Sequence, residues 1–537
     1  MGISTFIILK NEAETILNTL QCASLFSEEI IIGIDDATSD RSIDVIGGWL
    51  PAFGGEVEIF EFRWNDDFSE ARNRAISKCT QDWIFQLDAH EHLRPGDEEK
   101  LVKLAGKLPP EIWLASFEMW DEWADGVPNS RFYQDHLWRA GKGIEYSGAM
   151  HNCITREKCP AEHRVRVPGI VIYHKRTDEN DASRKVQRLE MAKKALLPKA
   201  ESDPEDLRSV FYLAQTFLNS EILDEAEKYY LLYIERSATL GIPQPCEHAW
   251  ACYKAGLIAL SRKEYNPALD RFFEGLKHRA DSPEIFYAIG EAFMLMEKPR
   301  EAERFLVIAA NMQPDEDHLF RYGVALGYGP WLRLMQIYYD EGNFPAAFRA
   351  GMEGIKRTPE NRQLLEGVRA SLTAAAEKIE TPDKDKKKLY VVDAANGIHE
   401  RLLEEWKKEY NVCVHNRVDY AYMKWADIVF IEGSAGNLAQ AAQHKFSCRL
   451  IARIHHRDIY QAYFRHINWE NVETLIFPSE HTRNAALKIS GDIPCKTIIV
   501  KESNSPKALK NVLLMPASEE CERRRSPDGF IGGMRGA

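Results

Sequence analysis

At 537 residues and 45% apolar side chains, the chain can form roughly three or four domains with proper cores, which excludes global disorder. A formal net charge of −13 excludes a general nucleic-acid or anionic-membrane binder, because either needs a basic footprint. The ten cysteines are scattered without a CxxC pair. Neither Cys153 with Cys159 nor Cys246 with Cys252 has the spacing of a common zinc site, so reduced thiols are expected. The N-terminus, MGISTFIILKNEAE, begins a strand at once, without a basic segment leading into a cleavable apolar stretch. No apolar run is long enough to span a bilayer. These features point to a cytoplasmic protein with no nucleic-acid partner and no transmembrane segment.

The first predicted strand, Ile3 to Leu9, ends in Lys10-Asn11-Glu12, and the second, Ile30 to Ile34, ends in Asp35-Asp36-Ala37-Thr38-Ser39-Asp40. Asp67-Phe68-Ser69-Glu70 has capping-box spacing, with Asp67 as N-cap. Phe68, Ala71, Ala75 and Cys79 then form an apolar stripe at helical spacing. Arg72 falls within that stripe, about 40° from Phe68 by the helical period. A guanidinium on a buried face needs an anion, either a carboxylate such as Asp88 or a diphosphate. Trp83, Ile84, Phe85 and Leu87 make an apolar strand that stops at Asp88-Ala89-His90-Glu91.

In an open α/β sheet, ligands bind beyond the carboxyl ends of the strands, where all three polar tips would lie. A carboxylate and an imidazole two residues apart, such as Asp88 and His90, can share one divalent cation. The DxH pattern alone suits a solvated turn equally well. Three such tips together indicate a nucleotide and metal site.

Trp113, Trp120, Trp123 and Trp138 follow, and alternation from Trp113 to Trp120 predicts a further strand. Glu118, Asp121, Glu122 and Asp135 are the carboxylates available as a general base, beside aromatic faces that could be sugar platforms or ordinary core. Val171 to His174 reads as a last strand, with His174 expected in packing.

The ordered series KNE, DDATSD, WNDDFSEARN and WIFQLDAHE resembles the family 2 glycosyltransferases of GT-A fold, in particular bacterial ones joined to tetratricopeptide repeats, some of which glycosylate peptides. The resemblance covers about the first 180 residues. It implies that Asp35 or Asp36 contacts the nucleotide base, with Asn11 and Glu12 also on the nucleotide side, that Arg72 lies near the diphosphate, and that Asp88 and His90 occupy the DxD positions. It also implies a G-x-x-H segment at Gly148 to His151, with His151 as a third metal ligand. The family usually has Asp where this chain has His90. Histidine suits transition metals and is a poor Mg²⁺ ligand, so the choice between Mn²⁺ and Mg²⁺ turns on this position.

From Asp203 the pattern is helical and repeats. Gly256, Ala268, Phe272 and Gly275 recur 34 residues later as Gly290, Ala302, Leu306 and Ala309, the period of tetratricopeptide repeats. Copies around Ala214 and Trp331 bring the expected number of repeats to four. Residues 377–388 read as a charged linker. Beyond it, five short apolar strands alternate with helical segments, as in a second α/β domain with a parallel sheet. Trp425-Ala426-Asp427, the turn after Glu432 and Arg453-Ile454-His455 make this part similar to the N-terminal half of a GT-B glycosyltransferase.

The expected fold class is α/β: a GT-A (Rossmann-like) domain over 1–180, an all-α tetratricopeptide solenoid over 200–376, and a Rossmann-like domain over 389–505. A flexible tail is expected over 506–537. By resemblance the chain is an inverting glycosyltransferase using a UDP-sugar and a divalent metal, with Asp135, Glu118 or Asp121 as base. Its acceptor would be a protein or peptide held by the repeats. Two rival readings remain: a decayed enzyme acting as a binding scaffold, and an enzyme with a glycan or lipid-linked acceptor. In the latter the repeats would serve for assembly, including a homo-oligomer.

Overall fold

The computed structural model describes residues 2–122, 128–148, 153–154, 159–175, 181–241, 244–313, 321–394, 397–398, 400–501 and 505–516. The chain divides into two compact units, Met1–Leu326 and Gly327–Ala537. Among the described residues no helix is long and apolar enough to cross a membrane.

The first unit opens with strands β1 (Ile3–Leu9), β2 (Glu29–Asp35), β3 (Glu56–Phe62) and β4 (Trp83–Gln86). Helices α1 (Ile16–Ala23), α2 (Ser42–Trp49) and α3 (Phe68–Ile76) connect them. The strands run parallel in the order β3-β2-β1-β4. β2 and β4 are buried throughout and β1 nearly so, as continuous Ile, Phe and Trp runs require when both faces are covered. β3 is the edge and buries only Phe60 and Phe62.

The sheet continues with β5 (Glu91–Leu93), then α4 (Glu98–Ala105), β6 (Leu114–Glu122), β7 (Pro128–Arg139), the short pair β8 (Tyr146–Ser147) and β9 (Cys153–Ile154), and β10 (Arg164–Lys175). β7 lies antiparallel to both β4 and β6, and β10 joins β6 in parallel with β5 on its far side. Four parallel strands followed by a mixed edge form a GT-A-like sheet. β7 is absent from the sequence-based expectation because its polar residues, PNSRFYQDHLWR, show no clean alternation. A bulge between Ala115 and Ser116 breaks the period where Asp135 comes opposite Ser116.

Helices α5 (Asp181–Ala195) and α6 (Leu197–Ser202) lead into three hairpins. These are α7 (Leu207–Asn219) with α8 (Leu223–Thr239), α9 (Pro245–Ser261) with α10 (Tyr265–His278), and α11 (Pro283–Leu295) with α12 (Pro299–Asn311). The repeating small residues have a steric reason. A Cβ on Gly256 would come within 2.4 Å of Phe272, and one on Gly290 within 2.6 Å of Leu306, so each glycine admits the large side chain of its partner helix. β11 (Arg321–Tyr322) returns to the first sheet and pairs with β7, and α13 (Gly323–Leu326) follows. The helices of this unit therefore contribute a strand to the sheet.

The second unit begins with α14 (Gly329–Asp340), α15 (Phe344–Arg357) and α16 (Arg362–Glu377). β12 (Lys387–Asp393), α17 (Glu400–Lys407), β13 (Tyr410–His415), α18 (Tyr420–Trp425), β14 (Ile428–Glu432) and α19 (Ala435–Ala442) come next. β15 (Arg449–Arg453), β16 (Thr474–Phe477), α20 (Glu480–Ser490), β17 (Lys496–Ile499) and α21 (Ser505–Leu514) complete it. All six strands are parallel, in the order β13-β12-β14-β15-β16-β17. The expected tail boundary at residue 506 is corrected here. α21 buries Leu509, Val512 and Leu513 in the domain core, where its apolar spacing puts them on one face. Lys387 and Lys388, assigned to the linker from their charge, already belong to β12.

Candidate functional site

The carboxyl ends of β1, β2 and β4 come together, and each polar tip has a definite structural role. Asn11 adopts the left-handed region, with φ 54°, and its Oδ1 accepts from the Ser39 and Asp40 amides. Glu12 donates its own amide to Ser42 Oγ. These bonds tie the tip of β1 to that of β2. Asp35 is buried, accepts from the Ala37 amide at 2.8 Å and lies 3.6 Å from Lys10 Nζ. Asp36 beside it is exposed.

α3 organises the other side. Asp67 caps it by accepting from the Ser69 and Glu70 amides. Glu70 does not close the expected reciprocal box, because its carboxylate takes a hydrogen bond from Asn65 instead. Along the helix Ala71 enters the core, Arg72 reaches Asp88, and Asn73 clamps the β8 segment. The Asn73 amide side chain donates to the Tyr146 carbonyl and accepts from the Tyr146 amide, at 3.0 and 2.8 Å. Ser69 Oγ adds a bond to the Gly148 carbonyl. The Arg72 guanidinium lies 5.0 Å from the centre of the Tyr146 ring, a cation–π contact that the sequence did not reveal.

Asp88 is the centre of this group. Its Oδ1 accepts from Arg72 Nη2 and from Gln86 Nε2, both at 2.8 Å, and Oδ2 carries neither bond. Burial alone would raise its pKa, but the charge of Arg72, with His90 and His174 behind it, outweighs burial and holds it at about 2. Glu91, buried next to Asp88, goes the other way: burial and the Asp88 charge raise its pKa. His90 meets His174 at 3.0 Å between their Nε2 atoms, and His174 also lies 3.5 Å from Glu91. His174, expected only in packing, is therefore part of the cluster. β10 carries it there opposite Glu91 of β5, a pairing too remote in sequence to read. His136, fully buried, engages the Gln86 carbonyl through Nδ1 behind the same residues.

The depressed Asp88 pKa has a testable sign. Because the folded-state value lies below the ordinary 3.8, the stabilisation is present above about pH 4 and is lost as pH falls towards 2. Over that window the wild type should lose on the order of 2 kcal/mol that an Asp88→Asn variant does not. Urea denaturation at stepped pH measures the difference, and parallel curves for the two proteins would contradict it.

Of the candidate bases, Asp135 shares the Tyr146 phenol with Arg72 and Asp88 as a neighbouring charge. Burial raises the pKa of that phenol, the Arg72 charge opposes this, and the Asp135 and Asp88 charges add to it. Asp135 accepts from Ser116 Oγ at 2.6 Å and lies 3.8 Å from Arg164. Asp121 accepts from Ser130 Oγ and is the register partner of His174. Glu118 is the register partner of Tyr133.

The tryptophans divide in the same way. Trp138 is core, against Phe6 and Tyr146, and Trp113 stacks on His163 at the opposite end of β6. Trp120, half-buried beside Arg131 and Tyr173, stays near the carboxyl end of β6. His151 and Trp123 lie outside the described residues.

His90 Nδ1 is buried without a hydrogen bond and Glu12 Oε1 lies 3.8 Å from it, but among the described residues no three ligand atoms of this cluster lie within 4.8 Å of one another, so side chains must rotate before it could close on a divalent ion. A mixture of imidazole and carboxylate suits a transition metal better than Mg²⁺.

The Glycosyl transferase family 2 model matches residues 4–156. The SPbeta prophage-derived glycosyltransferase SunS of Bacillus subtilis is 33% identical over 102 residues, which is 19% of this chain and 23% of SunS. The TPR repeat-containing protein Synpcc7942_0270 of Synechococcus elongatus is 25% identical over 289 residues, 52% of this chain and 67% of that protein. YrrB, a solved TPR protein, aligns over 33% of this chain and 81% of its own at 18% identity, with a TM-score of 0.26. The N-terminal part of this chain is thus a family 2 glycosyltransferase domain, and tetratricopeptide-like helical repeats follow it.

Proposed function

We propose that the chain is an inverting glycosyltransferase moving a sugar from a nucleoside diphosphate, UDP in the first instance, to a protein or peptide. The observation that carries this reading is the buried Arg72–Asp88 pair at the tip of β4, on a domain of this family, with His90, His174 and Glu12 around it. In this reading Asn11, Glu12, Asp35 and Asp36 form the nucleotide end. Arg72 turns its charge to the diphosphate, where a cation in a water-poor site favours the negative charge that develops. Asp88 and His90, with His151 from outside the described residues, would hold a divalent ion, which when bound adds electrostatic stabilisation to the departing diphosphate.

Asp135 is the preferred base. Its carboxylate takes the proton of the acceptor as that atom bonds to the anomeric carbon and the sugar–phosphate bond breaks. Ser116 and Arg164 fix its orientation. The helical repeats are assigned to the acceptor because a polypeptide needs an extended docking surface and a small free sugar does not.

The test incubates the full chain with Mn²⁺, a panel of nucleotide sugars and polypeptides extracted from cells lacking the protein. UDP release and a one-sugar mass increment on a polypeptide are expected. Release with no polypeptide gain but transfer to glycan or lipid would overturn the acceptor assignment. No release from any donor would overturn the activity.

A further inference from the structure

A second cluster of ligating side chains lies on the helical hairpins of the first unit, away from the strand tips. A ring nitrogen of His248 on α9, a carboxylate oxygen of Glu274 and a ring nitrogen of His278, both on α10, all lie within 4.8 Å of one another. Glu274 and His278 are four residues apart and so share one helix face.

Two contacts of Ser237 bear on the His248 ring. Ser237 Oγ, on α8, lies 3.2 Å from the Ile234 carbonyl and 2.8 Å from His248 Nδ1. In the arrangement where the hydroxyl donates to Ile234 it accepts from Nδ1–H, and Nε2 then carries the lone pair a metal needs. His248 is 1% exposed, and its Nε2 is buried with no hydrogen-bond partner. Buried polar atoms are ordinarily satisfied, and an unmet acceptor in a well-packed repeat calls for a ligand. An imidazole fixed through one nitrogen and open at the other is how a metal-binding histidine is held.

The two remaining groups can reach such an ion. His278 and Glu274 side chains are 23% and 35% exposed, with His278 Nε2 3.6 Å from Glu274 Oε1. The other Glu274 oxygen, Oε2, accepts from Lys277 at 2.6 Å. The His248 and His278 ring centroids are 3.9 Å apart. A modest rotation of the two half-exposed side chains brings three ligand atoms to one centre and leaves a solvent-facing position for water.

We propose that His248, Glu274 and His278 form a divalent transition-metal site, suited to Zn²⁺ with water as fourth ligand, that clips α9 to α10. Two imidazoles and one carboxylate around a single open position are a zinc-type donor set. Ser237 is a positioning residue, since it touches the imidazole and not the ion. The site would make the rigidity of this hairpin depend on metal supply, independently of any ion at Asp88.

The test uses the full-length chain without an affinity tag, stripped with chelator and titrated with Co²⁺. One equivalent should give the visible bands of four-coordinate cobalt, and Zn²⁺ should displace it. His278→Ala should weaken binding at least about a hundredfold, and Ser237→Ala about tenfold or more. Asp88→Asn should leave the bands intact. His278 is partly exposed, so its variant should fold, and circular dichroism checks this; Glu274→Gln gives a second variant with the same expectation. No bands in the wild type, or bands that persist in His278→Ala and Glu274→Gln, would overturn the proposal.

Discussion

Replacing Asp88 by Ala should lower sugar transfer by about a thousandfold, the loss seen when a preorganised electrostatic contact of a reaction site is removed. The same change should also destabilise the first unit. Arg72 is 8% exposed and its Nη2 donates to Asp88, so removing the carboxylate leaves a buried guanidinium without its counter-charge. That costs about 3–5 kcal/mol in comparable buried pairs. Two controls separate the effects. Asp88→Asn keeps a carbonyl oxygen for Gln86 and Arg72 and should unfold less readily than Asp88→Ala while transferring just as poorly. Asp88→Asn combined with Arg72→Leu removes both charges and should recover stability without recovering activity. Steady-state UDP release and denaturant titration measure the two quantities. Transfer at the wild-type rate by folded Asp88→Ala would remove the residue from the reaction.

The second large effect is expected in the second unit, where Glu432→Ala should destabilise the parallel-sheet domain by about 3–5 kcal/mol and leave donor turnover unchanged. Glu432, at the end of β14, is 1% exposed. Arg453 reaches both of its oxygens, with the Nε contacts at 2.8 Å and an Nη2 contact at 2.6 Å, and His455 Nε2 lies 2.8 Å from Oε1. Gly433, in the left-handed region at φ 57°, lets the chain turn where a Cβ would meet the His455 ring at 2.9 Å. The turn after Glu432 and Arg453-Ile454-His455, similar in sequence to the N-terminal half of a GT-B glycosyltransferase, are here engaged with one another. This cluster ties the end of β14 to β15 and to the turn that follows it. Hydrogen exchange of peptides from β12 to β15 should rise in the variant. Loss of UDP release in a variant whose first unit remains folded would contradict this division of labour.

Whatever depends on local periodicity and on residues close together in the chain was legible in the amino-acid order. The buried runs of β1, β2 and β4, the Asp67 cap, the polar tips after each strand and the 34-residue repeat could all be read, because a covered strand must be continuously apolar and a close helix pair must carry small residues. Gly256 against Phe272 and Gly290 against Leu306 are the physical content of that repeat. Arg72 was flagged because a charge on a buried helix face needs an anion, and both a carboxylate partner and a diphosphate remained open. That Asp88 is the partner within the chain, that Tyr146 lies beneath the guanidinium and that His174 meets His90 emerged from long-range packing. These contacts join residues 16, 74 and 84 positions apart through sheet order and register, which no local pattern encodes. β7 escaped detection because a bulge broke its alternation, and it was this strand that brought Asp135 into the neighbourhood of Arg72. The buried, unpartnered Nε2 of His248 lay equally out of reach, since it follows from how the ring is packed against a serine eleven residues earlier on another helix.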